Sequence, residues 1–347
     1  MSFIQVIKDL TLSFFIGGFA AASWVVPLID VLYKVQFTAQ HLLTGSKENE
    51  EFIKLHEHKS GTPNLGGILI WITVPTVLLI LFGSFPFVRA VSFMFLILGL
   101  FGFIEKAIDM VNRKNMVFRE LSERFEWRVG KLLIALIVNF AVAFFIISIA
   151  GIQSTNIFGF ILQLDNPLGY FLVAGTSLVA MYATEIIDGL DALAAGMYII
   201  SLTGFILLAL AFPTLAALSS SASILSIVGI VIGVLAVYLY FNIPPARVFM
   251  GGPGAMPMGP LFLMLALYLN AMPAFFIFMI IYFIDLASSA IQIISIKFFK
   301  KRIFRIAPIH HHFESLGWPE YKVVMRFWLF NGMLIMLGVL IQLFLNT

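Results

Sequence analysis

Apolar residues fall into about ten long runs, near 10–33, 65–83, 87–105, 131–150, 168–187, 190–212, 223–242, 257–271, 272–296 and 327–346. Charged or Gly- and Pro-containing segments separate them. A helix rises 1.5 Å per residue, so most of these runs reach across about 30 Å of hydrocarbon. The eighth is short, and its division from the ninth is the least defined. Segment 113–131 differs in mixing charges with Phe118, Leu121, Phe125 and Trp127, a pattern predicting an interfacial amphipathic helix whose default role is anchoring.

Composition agrees with the pattern. The chain is 61% hydrophobic and 11% charged over 347 residues, whereas a soluble domain carries about 25% charged residues. The expected fold class is all-α, a polytopic membrane protein forming one unit over 1–347, with no repeat. Lys8 and Asp9 precede an apolar run too long for a cleavable signal core, so the first span is expected to stay in place. The chain contains no cysteine, which excludes disulfides, thiolate metal sites and cysteine nucleophiles.

If alternate connections share one side, the segments 34–64, 106–131, 188–189, 243–256 and 297–326 hold 19 of the 21 Lys and Arg residues. The positive-inside rule makes these connections cytoplasmic and directs both termini outward. For any single basic residue this is the plain consequence of membrane insertion, not a sign of nucleic-acid binding.

Three polar features stand out. Glu105, Asp109, Glu185, Asp188, Asp191 and Asp285 lie at or near the same leaflet, where carboxylates cost about 2.5–3.5 kcal/mol each and usually have partners or work to do. Glu185, Asp188 and Asp191 recur every third residue, so a continuing helix would project them from one face. Such a set suits Mg²⁺, which takes one or two protein carboxylates while substrate phosphates complete its shell. Helix caps and interfacial anchors are the bland alternative. The second feature is a pair of loops, 58–67 and 242–255, rich in Gly and Pro and placed to offer backbone N–H groups to an anion, with Lys59 adding charge. The third is His310, His311 and His312 beside Lys300, Lys301, Arg302 and Arg305. Donors and titratable groups near neutral pH at a bilayer surface point to anionic chemistry. A transporter would more often place its charges near the midplane.

The segments His58-Lys-x-Gly-Thr-Pro-x-x-Gly-Gly67, Asp188-Gly-Leu-Asp191, Phe249-Met-Gly251, Arg302-Ile-Phe-Arg-x-Ala-Pro-Ile-His-His-His-Phe-Glu-x-x-Gly-Trp-Pro-Glu320 and Arg326-Phe-Trp328 occur in this order over nearly the whole chain. Together they resemble the phospho-N-acetylmuramoyl-pentapeptide transferase family of the polyprenyl-phosphate N-acetylhexosamine-1-phosphate transferase superfamily. The resemblance implies a ten-span enzyme of the bacterial inner membrane. Such an enzyme moves phospho-MurNAc-pentapeptide from UDP-MurNAc-pentapeptide to undecaprenyl phosphate, giving lipid I and UMP with Mg²⁺ as cofactor. Whether it forms a homodimer is left open.

On this reading Asp188, Asp191, His310 and Glu105 are the candidate catalytic residues. Lys59, Thr62, Glu185, His311, His312 and Arg302 are the candidate substrate contacts, and Asp188 and Asp191 the candidate metal ligands. The chain departs from the family at Glu105, Lys106 and Asp109, at Tyr182 and Glu185, and at Gly252, where the family places its metal-binding aspartate. Over Glu105, Lys106, Asp109, Glu185 and Gly252 the net charge is −2, the same as in the family pattern, while its location moves. Two readings follow: a rearranged site in which Lys106 pairs with Asp109 and the 185/188/191 carboxylates hold the metal, or a homologue that binds nucleotide sugar or partners without turnover. Asp285, where the family tends to carry glutamate, is expected to pair with a lysine.

Overall fold

A computed structural model describes residues 3–35, 59, 61–114, 125–212 and 224–346. His58, Ser60, Phe118 and Leu121 lie outside the described residues, as do the side chains of Phe125 and Trp127, so the anchoring role expected of 113–131 falls there too. The described chain is helical almost throughout. Hydrocarbon offers no hydrogen bonds, so each crossing segment must satisfy its own backbone, and helix is the local solution.

In chain order the helices are α1 (Phe3–Ala22), α2 (Val25–Lys34), α3 (Ile68–Phe82), α4 (Pro86–Lys114), α5 (Phe125–Phe144), α6 (Pro167–Ile186) and α7 (Leu193–Ala211). There follow α8 (Ile224–Asn242), the one-turn α9 (Gly252–Ala255), α10 (Met258–Tyr268), α11 (Met272–Phe278), α12 (Ile280–Ile294), α13 (Ile309–Ser315) and α14 (Glu320–Asn346). Among the described residues eight helical segments are long and apolar enough to cross a membrane, so this is a multi-pass membrane protein. α3 has 15 residues and α10 has 11, shorter than a full span.

The apolar runs are broken where polar groups find partners. Ser23 and Trp24 divide the first run into α1 and α2, and the Trp24 indole N–H donates to Thr73 Oγ1 on α3 at 3.0 Å. Asn270, at φ +51°, ends α10, and Pro273 stands in the first turn of α11. The Asn270 side-chain oxygen accepts the N–H of Asn156 at 2.7 Å. This ties the turn to an antiparallel hairpin, β1 (Ser154–Ile157) and β2 (Phe160–Gln163), in which Thr155 faces Leu162. Its two-residue loop, Phe158 and Gly159, has both φ values positive, matching the right-handed twist of the strands.

The core lies where α7, α8 and α10 are enclosed by the other helices, around Tyr198, Phe205, Tyr238, Phe262 and Phe278. Lipid tails are as apolar as leucine, so association depends on close packing and interhelical hydrogen bonds. The most extensive contact joins α1 and α8. A Cβ at Gly17 would overlap the Ile230 carbonyl, whereas one at Gly18 would sit 3.6 Å from the Gly233 oxygen.

Gly17→Ala is therefore expected to destabilise the fold by about 1–3 kcal/mol and lower the melting temperature in detergent, because α1 must move off α8. Gly18→Ala should melt with the parent. Equal melting of the two variants would show that this contact does not set the helix separation.

Candidate active site

The polar ends of α3, α6, α7, α8, α12 and α14 meet at one end of the bundle. At their centre the Lys59 ammonium, 5% exposed, lies 2.7 Å from Asp191 Oδ1 and 2.5 Å from Glu320 Oε1. The same Glu320 oxygen accepts the backbone N–H of Asp191 at 2.7 Å, and Asp191 Oδ2 accepts that of Ala246 at 3.0 Å. Four chain segments are thereby joined through one cation. Burial alone pulls the Lys59 pKa down, but Glu320 and then Asp191 more than offset it, so the group titrates above its usual value.

The two Gly/Pro loops pair with each other. The N–H groups of Gly66 and Gly67 donate to the carbonyls of Phe249 and Met250 at 2.8 and 2.9 Å, and Phe249 N–H donates to Pro63 at 2.8 Å. These donors serve the fold. Thr62 stays half-buried, its N–H bonded to the Lys59 carbonyl at 3.2 Å.

The expectation that Glu185, Asp188 and Asp191 share a helical face does not hold. α6 ends at Ile186, residues 187–192 form turns, and Ala192 adopts φ +65° before α7 begins. Gly189 sits in that turn, and a Cβ there would overlap His310 Nε2 and lie 3.0 Å from His311 Nε2. Close approach of two imidazoles thus requires glycine. The turn aims Asp188 elsewhere than Asp191: its Oδ2 accepts the Gly251 N–H at 2.8 Å. Desolvation pushes the Asp188 carboxyl up to about 7, against the lowering effects of the Gly251 N–H, Lys106 and His310.

Glu105 and Asp109 form the second part of the site. Both contact Lys131 of α5, at 3.2 and 3.0 Å. This corrects the expected Lys106–Asp109 pair, since α5 brings a lysine that sequence spacing could not assign. Lys106 instead lies within electrostatic reach of Glu185 and Asp188. Beside Glu105 and Lys131 an apolar cavity of about 380 Å³ opens between α4 and α5, lined by Ile97, Leu100, Ile104 and Ile134.

The histidine segment is held as a folded flap. Gln292 Oε1 accepts the N–H groups of Ile303 and Phe304 at 3.1 and 3.0 Å, and Ser295 Oγ donates to the Lys301 carbonyl at 2.7 Å. His310 Nδ1 sits 2.8 Å from Asp285 Oδ2, so Asp285 pairs with a histidine and not with the expected lysine. His311 Nδ1 is 2.6 Å from Glu314 Oε2, and His312 Nδ1 accepts the Arg305 N–H at 3.2 Å. Arg302 is exposed on the outer side of the flap.

Lys59, Asp188, Asp191, His310 and His311 thus converge, with Glu185 and Glu105 reaching the same end through Lys106 and Lys131. Sequence reasoning gave no role to Glu320 or Lys131, whose partners stand far away along the chain. Among the described residues no three His, Asp or Glu side chains are gathered as a preformed metal centre. Both Asp191 oxygens are engaged, whereas Asp188 keeps Oδ1 available, which matches a hard cation held by one carboxylate and completed by phosphate.

An all-α membrane bundle with this charged end falls in a defined class: the profile of Glycosyl transferase family 4 matches residues 88–270, and the chain belongs to that family. Within it the relatives share one name. Phospho-N-acetylmuramoyl-pentapeptide-transferase of Heliobacterium modesticaldum is 32% identical over 94% of this chain and 94% of its own length. That of Bacillus velezensis is 30% identical over 98% and 100%, and that of a Geobacillus species 31% over 88% and 91%.

Two outcomes follow from the geometry. Because native Asp188 binds its proton more tightly than the unfolded chain does, its contribution favours the fold at acid pH and declines as pH rises from 3.8 through about 7. Infrared difference spectra against Asp188→Asn in Mg²⁺-free buffer should show a carboxylic acid band lost near pH 7; loss near the ordinary carboxylate value would refute the assignment. Lys59→Ala leaves two enclosed carboxylates without their cation and is expected to cost about 3–5 kcal/mol, read as a lowered melting temperature. An unchanged melt would show that the ion triad carries no weight.

Proposed function

We propose that this protein transfers phospho-MurNAc-pentapeptide from UDP-MurNAc-pentapeptide to undecaprenyl phosphate at the bacterial cytoplasmic membrane, yielding lipid I and UMP. The observation that carries the reading is the convergence of Asp188, Lys59 and His310 on one polar end of a membrane bundle whose relatives bear that transferase name over nearly their full length. A lipid acceptor and a water-soluble donor can meet only at such a boundary.

The chemistry is attack by an acceptor phosphate oxygen on the sugar-linked phosphorus of a diphosphate. Repulsion between the anions is the barrier, and fixed positive charge is the remedy. Mg²⁺, when bound, would neutralise diphosphate oxygens; Asp188 is the residue to hold it, with Glu185 within electrostatic reach of that carboxylate. Asp191 acts one step removed, fixing Lys59 and the 243–251 loop. His311, His312 and Thr62 are the candidate donor contacts, and Arg302, exposed on the flap, is a further one. The apolar cavity beside Glu105 and Lys131 suits the hydrocarbon chain of the acceptor.

Gly252 fits this arrangement. It lies against α4, where an added Cβ would stand 3.0 Å from Gly102 Cα, so a side chain at 252 requires α4 to shift by a few tenths of an ångström. The close contact of two glycine backbones brings α4, with Glu105 and Lys106, towards the Asp188 turn.

UMP release from UDP-MurNAc-pentapeptide by the full chain in nanodiscs is expected to require both undecaprenyl phosphate and Mg²⁺, and Asp188→Asn should lower kcat by about a hundredfold or more. Donor binding without any release would contradict the proposal, as would release independent of the lipid acceptor.

A further inference from the structure

His310 and Asp285 are both fully buried, with no measurable exposure of either side chain. Asp285 grips the imidazole from one side: Nδ1 lies 3.0 and 2.8 Å from its two oxygens, and the His310 backbone N–H approaches Oδ1 at 3.3 Å. The carboxylate is itself held in register with the flap, because Ser288 Oγ donates to the Asp285 carbonyl at 2.6 Å and accepts the Ile309 N–H at 2.9 Å. The opposite ring nitrogen, Nε2, is buried and has no hydrogen-bond partner in the protein. It faces Gly189, the residue after Asp188, and the His311 ring lies 4.2 Å away, centre to centre.

An ionised carboxylate only accepts, so Nδ1 must carry the proton it shares with Asp285, and in the neutral ring Nε2 is left as a lone pair. A polar atom kept unpaired in the interior costs stability and calls for a reason. A bare lone pair repels fully ionised phosphate oxygens but accepts the proton of a P–OH group. It therefore distinguishes a singly protonated phosphate monoester from a diphosphate without such a proton.

Building on the transfer reaction proposed above, we infer that Asp285 is a positioning residue that fixes His310 as the Nδ1–H tautomer, with Nε2 aimed over the Gly189 turn at the acceptor phosphate. In the step, an acceptor oxygen forms the new O–P bond and the P–O bond to UMP breaks, its electron pair leaving on the UMP phosphate. The acceptor's P–OH proton passes to His310 Nε2. Asp285 stabilises the imidazolium that results. His310 thereby serves the lipid phosphate, while Asp188 and Lys59 serve the diphosphate side.

The test uses the full chain in nanodiscs, with ¹⁵N-histidine solid-state NMR and steady-state kinetics side by side, and His310→Gln to assign the signals. The parent should show a protonated Nδ1 and a bare Nε2 for His310. In Asp285→Asn the amide N–H₂ donates to Nδ1, so the proton should move to Nε2, with kcat falling about a hundredfold and both KM values changing less than about twofold. Asp285→Glu should restore the parent signature and most of kcat. A protonated Nε2 in the parent would overturn the inference, as would an Asp285→Asn effect confined to KM. If Asp285→Asn does not fold, the parent spectrum and Asp285→Glu still decide. Should the parent show no turnover at all, the transfer reading fails, and the NMR signature judges the tautomer assignment separately.

Discussion

One buried ammonium organises the polar end of this protein. Lys59 lies between Asp191 and Glu320, and those carboxylates in turn hold the Asp191 and Ala246 amides, so Lys59, the 187–192 turn, the 243–251 loop and the start of α14 are fixed relative to one another. A lone charge in that setting would be expensive to desolvate; shared between two carboxylates that also accept backbone N–H groups, it becomes a fixed point. Everything proposed about catalysis depends on it. The triad sets where Asp188 ends up, since the turn that follows α6 must deliver Asp191 to Lys59.

The bilayer made the fold readable. Apolar runs must be long, continuous and self-satisfied in their hydrogen bonding, so each run falls on helix. Lost from view were the interruptions: the break at Trp24, which depends on Thr73 nearly fifty residues later, and the turn at Asn270, which depends on a hairpin more than a hundred residues earlier. Helix length followed tertiary packing as much as hydrophobicity, which is why α3 and α10 are shorter than a full span.

The site was legible in its residue types and not in its pairings. Lys59, Asp188, Asp191 and His310 were recognisable as unusual charges at one leaflet. Yet Lys59 meets Glu320 across 261 positions, Lys131 reaches Glu105 and Asp109 from the neighbouring helix, and Asp285 finds His310 in place of a lysine. Spacing by threes suggested a shared helical face for 185, 188 and 191, but Gly189 lets the chain turn so that the imidazoles can approach. The change at Gly252 similarly acquires a physical sense from Gly102, a contact no local pattern reveals. Local sequence states which groups are present; the fold decides which of them share a partner.

The most direct test of this account is a cryo-EM map of the full chain in nanodiscs with UDP-MurNAc-pentapeptide and Mg²⁺. The account predicts diphosphate density between Asp188 and the histidine flap, while the Lys59 ammonium still bridges Asp191 and Glu320. A diphosphate bound away from Asp188, or a Lys59 separated from both carboxylates, would contradict it.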